Sequence, residues 1–275
     1  MINPVEQALA FLRGRSALSV GRVSSSITLN FHPDILIGGR TMLDLLAESG
    51  TYRSQFETGT SNGGLTAIPG GDRWNWESQI FGGAYDKEHP SHRPKYGALN
   101  HRHDPVGGSR RFGSCHFRVA PHVHSRTSYC YPDSHLQPRD FAVGNPGQLI
   151  PLAEKNELHL DLWLDNYIEA HIHGPLSIVE DIDALVLDPC YQGTNIERFA
   201  DRLGCPLEWH KGFKLLQARI VDCKTYRGPI AADAVVRILE DKVVTPAILG
   251  RARESLLDYQ TAKWVWHCIA RFGLE

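Results

Sequence analysis

No stretch of this 275-residue chain approaches the roughly 18 consecutive apolar residues that a membrane helix needs, because charge interrupts the longest apolar patches every few positions. A helical membrane span is therefore not expected. The N-terminus, MINPVEQALAFLRGRSALSVGRVSSS, lacks a basic region ahead of a long apolar core and lacks a small-residue cleavage site, so it does not read as a general secretory leader. A specialised export system that leaves no such mark stays compatible with it. Charge of one sign is missing too: 29 Lys and Arg against 31 Asp and Glu leave a formal net charge of -2. No general field pulls such a chain onto nucleic acid or an anionic membrane, and neither is expected as a partner. The six cysteines (Cys115, Cys130, Cys190, Cys205, Cys223, Cys268) include no CxxC pair, which disfavours a zinc ribbon or a redox motif. They read as mostly reduced, buried small residues. GxxxxGK[ST] and HExxH are absent as well, and no internal repeat or clear linker divides the chain.

What is present is an ordinary globular composition, 42% hydrophobic and 22% charged, in a chain long enough to bury its own core. Apolar residues at helical spacing from Pro4 to Leu18 predict a leading helix, and residues 1–26 form an N-terminal helical segment. Ile27-Thr-Leu-Asn-Phe31 predicts a strand stopped by His32-Pro33-Asp34, since proline pushes its predecessor extended and removes a donor. Thr41 to Glu48 predicts a short helix closed by Gly50. Thr51 to Asn100 is dense in glycine and proline around an amphipathic piece near Trp74 to Phe81, as binding loops are. Strands are expected at Tyr96–Asn100, Cys115–Val119, Arg126–Tyr131, Glu157–Trp163, Tyr167–His173 and around Phe213 to Val221, with a helix near Asn195 to Leu203. From Gly228 onward the pattern is helical. The fold class is α+β: a mixed or antiparallel sheet core over 27–227 and a helical C-terminal subdomain over 228–275. A monomer is the default expectation.

Histidine is the one excess, 14 in all, with HxH patterns at His101/His103, His122/His124 and His171/His173. On a strand, positions i and i+2 share a face, so each pair can present two imidazoles to one metal, although alternating polar residues on a solvent face give the same pattern. Phe56-Glu-Thr-Gly-Thr-Ser-Asn-Gly-Gly64 is rich in backbone donors and hydroxyls, which suits phosphate or amide recognition as well as a structural turn. Glu169 lies among apolar and aromatic neighbours near the start of a late strand, while His32 and Asp34 follow an early one. A carboxylate opposite a cleft that holds a ribose stabilises an oxocarbenium-like transition state, which points to N-glycosidic cleavage or transfer. Tyr259, Trp264 and Trp266 sit on an amphipathic stretch and read as core.

Ile27-Thr-Leu-Asn-Phe-His-Pro-Asp34, Tyr52-Arg-Ser-Gln-Phe-Glu-Thr-Gly-Thr-Ser-Asn-Gly-Gly64, Pro69-Gly-Gly-Asp-Arg73, Arg93-Pro-Lys-Tyr-Gly-Ala-Leu99, Arg111-Phe-Gly-Ser-Cys115 and Trp209-His-Lys-Gly-Phe213 resemble a bacterial family associated with the CteC-like effectors. Those are ADP-ribosyltransferases that modify a threonine of host ubiquitin. The resemblance runs from about Ser26 to Gly273, through Tyr226-Arg-Gly-Pro229 and Trp266-His267. It implies a split mixed sheet of the ADP-ribosyltransferase type with NAD as co-substrate in the central cleft, and delivery into a host cytoplasm by a specialised system. Carried over, His32 holds a ribose and Glu169 is the late-strand catalytic carboxylate. Asp34 is chosen as the Asp of an Asp–Glu catalytic pair, with Asp72 and Asp165 as alternatives. Gly59, Thr60, Ser61 and Asn62 would grip the carboxamide or a phosphate. The chain has no Ser-Thr-Ser stretch, so Tyr96 and Ser114 stand in as nicotinamide-proximal candidates. The other readings are a metal-dependent hydrolase built on the HxH clusters and a non-enzymatic binding module.

Overall fold

Ile27, Leu29 and Phe31 alternate with Thr28, Asn30 and His32, and this period of two forms strand β1 (Ile27–Phe31) at the centre of the sheet. The structure, a computed structural model, describes residues 3–16, 23–59, 66–156 and 163–274. The remaining strands of the main sheet are β2 (Lys95–Leu99), β3 (Cys115–Val119), β4 (Thr127–Tyr131), β5 (Asp140–Val143), β6 (Ile168–Ile172), β7 (Ile182–Leu187) and β8 (Leu207–Trp209). Their order is β8-β7-β3-β1-β2-β6-β4-β5, antiparallel throughout except that β8 runs parallel to β7. The fold is α+β with a mixed sheet.

The sheet divides at one seam. β1 matches β3 through five residue pairs, and β2 likewise matches β6 through five, but β1 and β2 share only Ile27↔Leu99 and Thr28↔Ala98. Gly97 marks the point of divergence: a Cβ there would lie 2.6 Å from Leu29 Cδ2 and 2.6 Å from the Thr28 carbonyl. Beyond it Asn30 turns its amide away from the seam and donates to the carbonyls of Val106 (2.8 Å) and Gly113 (3.4 Å), pinning the loop before β3. A wedge therefore opens between the C-terminal end of β1 and the N-terminal end of β2.

Helices cover both faces. Helix α1 (Pro4–Arg13) carries the leading periodicity; α2 (Met42–Ser49) is capped by Thr41, whose hydroxyl accepts from the Asp44 N–H at 3.3 Å, and is ended by Gly50 at φ 64°. Helix α3 (Asp72–Ile80) stands where the amphipathic piece was expected in the glycine-rich region, but the face it buries carries Arg73 and Glu77 beside Ile80 and is not apolar; α4 (Asn195–Ala200) follows β7. One face of the sheet, with Leu29, Phe31, Phe117 and Ile168, packs on Leu43 and Leu46 of α2 and Ile196 of α4. Phe31 stacks on Phe117 with ring centroids 5.1 Å apart, and burying each such side chain is worth roughly 1.5–3 kcal/mol. On the other face, Cys130 and Phe141 meet Ala8 and Leu12 of α1 and Ile80, Phe81 and Tyr85.

The C-terminal helices are α5 (Ile220–Arg227), α6 (Pro229–Ile238), α7 (Pro246–Ser255) and α8 (Tyr259–Phe272). They share one apolar cluster with Val106, Leu164 and Phe213. Two sequence expectations change here. Of the strand expected around Phe213 to Val221 only Leu215–Leu216 is extended, and Ile220 and Val221 open α5, where Ile220 and Cys223 share a buried helical face. Helix thus begins at Ile220, ahead of the helical pattern expected from Gly228. Trp266 is core as expected, whereas Tyr259 is 66% exposed. The strand expected at Glu157–Trp163 falls on 157–162, outside the described residues, and Trp163 lies in a turn. Strands β5, β7 and β8 were not foreseen. All six cysteines carry free thiols, and no described helix is long and apolar enough to cross a membrane.

Candidate active site at the seam of the sheet

The wedge between β1 and β2 is a cavity of about 500 Å³, well within the size of small-molecule sites. Its walls bring together His32 at the end of β1, Tyr96 on β2, Glu169 on β6, Arg73 on α3, Asp133 and Ser134 after β4, and Lys263 on α8. A second cavity of about 390 Å³ adjoins it, and the two share His32, Ile35, Arg111, Phe112 and Lys263.

Glu169 faces the cavity because β6 alternates: Ile168, Ala170 and Ile172 enter the core, and Glu169 and His171 point the other way. Its carboxylate accepts from His171 Nε2 at 2.9 Å on Oε1, and from the Ser134 hydroxyl (3.1 Å) and N–H (3.4 Å) on Oε2. Burial pushes its proton affinity up, but the His171 hydrogen bond and charge, the Arg73 guanidinium and the Ser134 hydroxyl together bring it below the usual carboxylate range. Glu169 is therefore ionised although only 5% exposed. Asp133 shares the cavity and goes the other way: burial first, then the charge of Glu169, raise its pKa, partly offset by the Tyr167 hydroxyl that donates to Oδ2 at 2.5 Å. Its Oδ1 is buried with no hydrogen-bond partner among the described residues. Two carboxylates of opposite tendency in one cavity are the arrangement that divides electrostatic from proton-transfer work.

Behind Glu169 runs a buried chain of hydrogen bonds. His171 Nδ1 meets the Ser128 hydroxyl at 3.1 Å, Ser128 meets His173 Nε2 at 2.8 Å, and His173 Nδ1 meets the Tyr85 hydroxyl at 2.8 Å. Since ionised Glu169 only accepts, His171 Nε2 carries a hydrogen. With a neutral His171 every bond then points toward the carboxylate: Tyr85 donates to His173, His173 to Ser128, Ser128 to His171, and His171 to Glu169. Burial, with the charges of His171, Lys95 and Arg126, holds His173 far below the ordinary histidine range, so it takes part as a neutral ring.

A second buried network adjoins the first, because Tyr96 on β2 pairs with His171 on β6. Tyr96 donates to Glu77 Oε1 (2.7 Å), Arg93 donates to Glu77 Oε2 (2.6 Å) and to the Tyr85 carbonyl (3.0 Å), and Arg73 stacks over the Tyr96 ring at 4.2 Å. At the seam's far side Arg111 pairs with Asp165, and Trp266 Nε1 donates to the Arg111 carbonyl at 2.8 Å.

Of the residues singled out by sequence, His32, Tyr96 and Glu169 meet at this cavity. The His32 ring stands edge-on to Trp266 with centroids 4.5 Å apart, and burial followed by the charge of Arg253 keeps it neutral. Asp34 lines the second cavity and not the first; it accepts from the Tyr191 hydroxyl at 2.8 Å, and Gly250 lets α7 approach it where any Cβ would collide. Ser114 lines neither: its hydroxyl is fully buried beside Cys115 Sγ, and its carbonyl takes the His210 Nε2 bond at 2.7 Å. Gly59 ends the turn of helix Gln55–Thr58 at φ 63°, while Thr60, Ser61 and Asn62 lie outside the described residues. Asp165 lines the cavity and Asp72 does not. Sequence reasoning missed Asp133, although Tyr131-Pro132-Asp133 ends β4 as His32-Pro33-Asp34 ends β1. Only one HxH pattern has the strand geometry: His122 and His124 lie on a 3-10 turn and bond separately to Asp181 (2.9 Å) and Tyr129 (2.6 Å). Around His171 the ligand atoms of Cys130, Glu169 and His171 lie within 4.8 Å of one another, a donor set with the chemistry of a zinc site.

Comparison with protein families matches this chain to a family described as "Protein of unknown function (DUF3626)", over residues 26–149 and 148–272. A search of the curated proteins gives no match.

Proposed function

The chain belongs to the DUF3626 family, and for this member we propose an NAD-dependent mono-ADP-ribosyltransferase that transfers ADP-ribose to a hydroxyl of a protein acceptor, a threonine of ubiquitin in the first instance, which would block ubiquitination. The observation that carries the reading is Glu169: an ionised, nearly buried carboxylate on the wall of a ligand-sized cavity, opened where the sheet splits and faced across the seam by His32. The resemblance of the quoted motifs to the CteC-like effectors supports the same chemistry.

NAD supplies the ADP-ribosyl group through a glycosidic bond that breaks with its electron pair leaving on neutral nicotinamide. Glu169 accepts a ribose hydroxyl and sets its charge against the positive charge that develops on the sugar, with the His171 and Ser134 bonds holding it in place. Tyr96, Phe112 and Tyr167 supply aromatic walls around the reacting ring. The acceptor hydroxyl bonds to the anomeric carbon, and its proton passes to Asp133, whose raised proton affinity suits that task, a contribution of about 10²–10⁴-fold. On this reading Asp133, and not Asp34, works beside Glu169.

The test is to incubate the protein and its Glu169→Ala form with NAD and ubiquitin and to read the intact mass of the ubiquitin. A gain of one ADP-ribose unit, lost with Glu169→Ala, supports the proposal. Absence of any NAD turnover, with ubiquitin or a cell extract as acceptor, overturns it. The Cys130, Glu169 and His171 cluster favours a second reading, a zinc-dependent hydrolase that uses the same carboxylate as a ligand.

A further inference from the structure

The second cavity is walled by the C-terminal helices and by the turn after β1, and apart from His32 and Phe112, which it shares with the first, its residues are not used in the chemistry above. His267 on α8 is 3% exposed, lines this cavity, and has neither ring nitrogen hydrogen-bonded among the described residues. Burial, with the charges of Arg227, Arg111 and Lys263, takes its pKa down to about 3, so the ring is a neutral group with one donor and one acceptor to offer. A buried imidazole with both positions open is costly unless something polar meets it. Trp266, Phe112 and Leu257 give the cavity flat and apolar walls.

The neck joining the two cavities is cationic. Arg111 and Lys263 both belong to it. Arg111 is paired with Asp165 and, deeper in the second cavity, Arg253 lies 3.6 Å from Asp34. Lys263 has no acidic partner among the described residues; burial and the charges of Arg111 and Arg227 press its pKa down. The remaining acid on the cavity wall, Glu254, is exposed. An unmatched lysine beside an arginine, between two ligand-sized spaces, is what a bridging anion would neutralise.

We propose that the second cavity is an adenine-nucleotide subsite, with the purine edge on His267 against the Trp266 wall and the phosphates in the neck on Lys263 and Arg111. Adenine presents adjacent donor and acceptor atoms, which a neutral imidazole complements. The proposal rests on the transferase reading for what fills the first cavity, but the subsite stands on its own geometry.

Calorimetric titration of the full chain with AMP, ADP-ribose and nicotinamide mononucleotide tests it, together with Lys263→Ala and His267→Phe. We expect AMP and ADP-ribose to bind, Lys263→Ala to weaken both at least about tenfold, and His267→Phe to weaken AMP while leaving nicotinamide mononucleotide unchanged. Lys263 is half-buried on its helix, so Lys263→Ala carries the test by itself where His267→Phe fails to fold. AMP binding that is absent, or unchanged in Lys263→Ala, overturns the subsite. Transfer activity with an unaltered KM for NAD in Lys263→Ala overturns the subsite and leaves the transferase reading intact. Lys263-dependent AMP binding in a chain with no NAD turnover does the reverse.

Discussion

Replacing Arg93 by Met removes a guanidinium that is 3% exposed from a glutamate that is fully buried. Three interactions go at once: the 2.6 Å ion pair with Glu77, the 3.0 Å bond to the Tyr85 carbonyl, and the contact over the Phe56 ring at 4.2 Å. Burial already raises the Glu77 pKa, with Tyr96, Arg93 and Arg73 opposing it. Without Arg93 the carboxylate loses a main counter-charge and takes up a proton, or stays charged at high cost. Breaking a buried pair from one side costs about 3–5 kcal/mol, a large share of the roughly 5–15 kcal/mol that holds a domain folded. In the double variant Glu77→Gln/Arg93→Met no charge is stranded and the Gln carbonyl still receives the Tyr96 hydroxyl, so it should recover about 1–3 kcal/mol of the loss. Urea unfolding at neutral pH, compared at constant m-value, measures both. An Arg93→Met midpoint within about 1 kcal/mol of wild type, or a double variant that costs the sum of the two singles, would refute a desolvated, coupled pair. Because Glu77 anchors Tyr96 on the cavity wall, the same Arg93→Met change should weaken nucleotide binding in step with stability.

Three further outcomes follow from the same geometry. Asp133→Asn should lower transfer by about 10²-fold or more and abolish the limb of the pH–rate profile that rises as Asp133 ionises, and an unchanged profile would remove it from proton transfer. His32, His116, His173 and His267 have folded pKa values depressed by burial, those of His116 and His267 to about 3. The unfolded chain therefore binds more of their protons below its own value near 6.5, each contributing up to about 1.4 kcal/mol of lost stability per pH unit as pH falls from there toward 3. The raised carboxyls Asp34, Glu77 and Asp133 act in the opposite sense, so a net fall in urea midpoint between pH 7 and 5 is expected, reduced in slope by His116→Asn, and a flat profile would contradict the neutral burial of these rings. Chelator treatment should leave ADP-ribosyl transfer unchanged; activity lost with EDTA and restored by zinc, together with zinc binding abolished in Cys130→Ser, would favour the metal reading.

Strand ends were the legible part of the site. His32 and Glu169 were marked by a proline-stopped strand and by a carboxylate among apolar neighbours, and both reach the cavity. The same proline signal stands at Tyr131-Pro132-Asp133 but was missed, and Asp34 was chosen with Asp72 and Asp165 as alternatives, because nothing local says which strand end faces Glu169. That depends on the cross-strand register of β4 on β6, with Cys130 opposite Glu169. The seam is also a register property: it exists because β1 and β2 part after Thr28 and Ala98, and only the bare glycine at 97 hinted at a close crossing. Ile220 and Val221 have β-branched chains that favour strands, but packing of Ile220 and Cys223 on the neighbouring helices overrides that preference. The edge strand Asp140–Val143 is too short to stand out from the loops around it.

The contact between the rings of His32 and Trp266 joins the first strand of the sheet to the last helix of the chain. During synthesis, the wall contributed by β1 leaves the ribosome long before Lys263 and Trp266 are made, an interval of tens of seconds at about 5–20 residues per second. Until α8 docks, the neck between the cavities has one side only. A nascent chain in which α8 has not yet been made therefore lacks the Lys263 and Trp266 side of both cavities, and only the docking of that helix closes the neck between them.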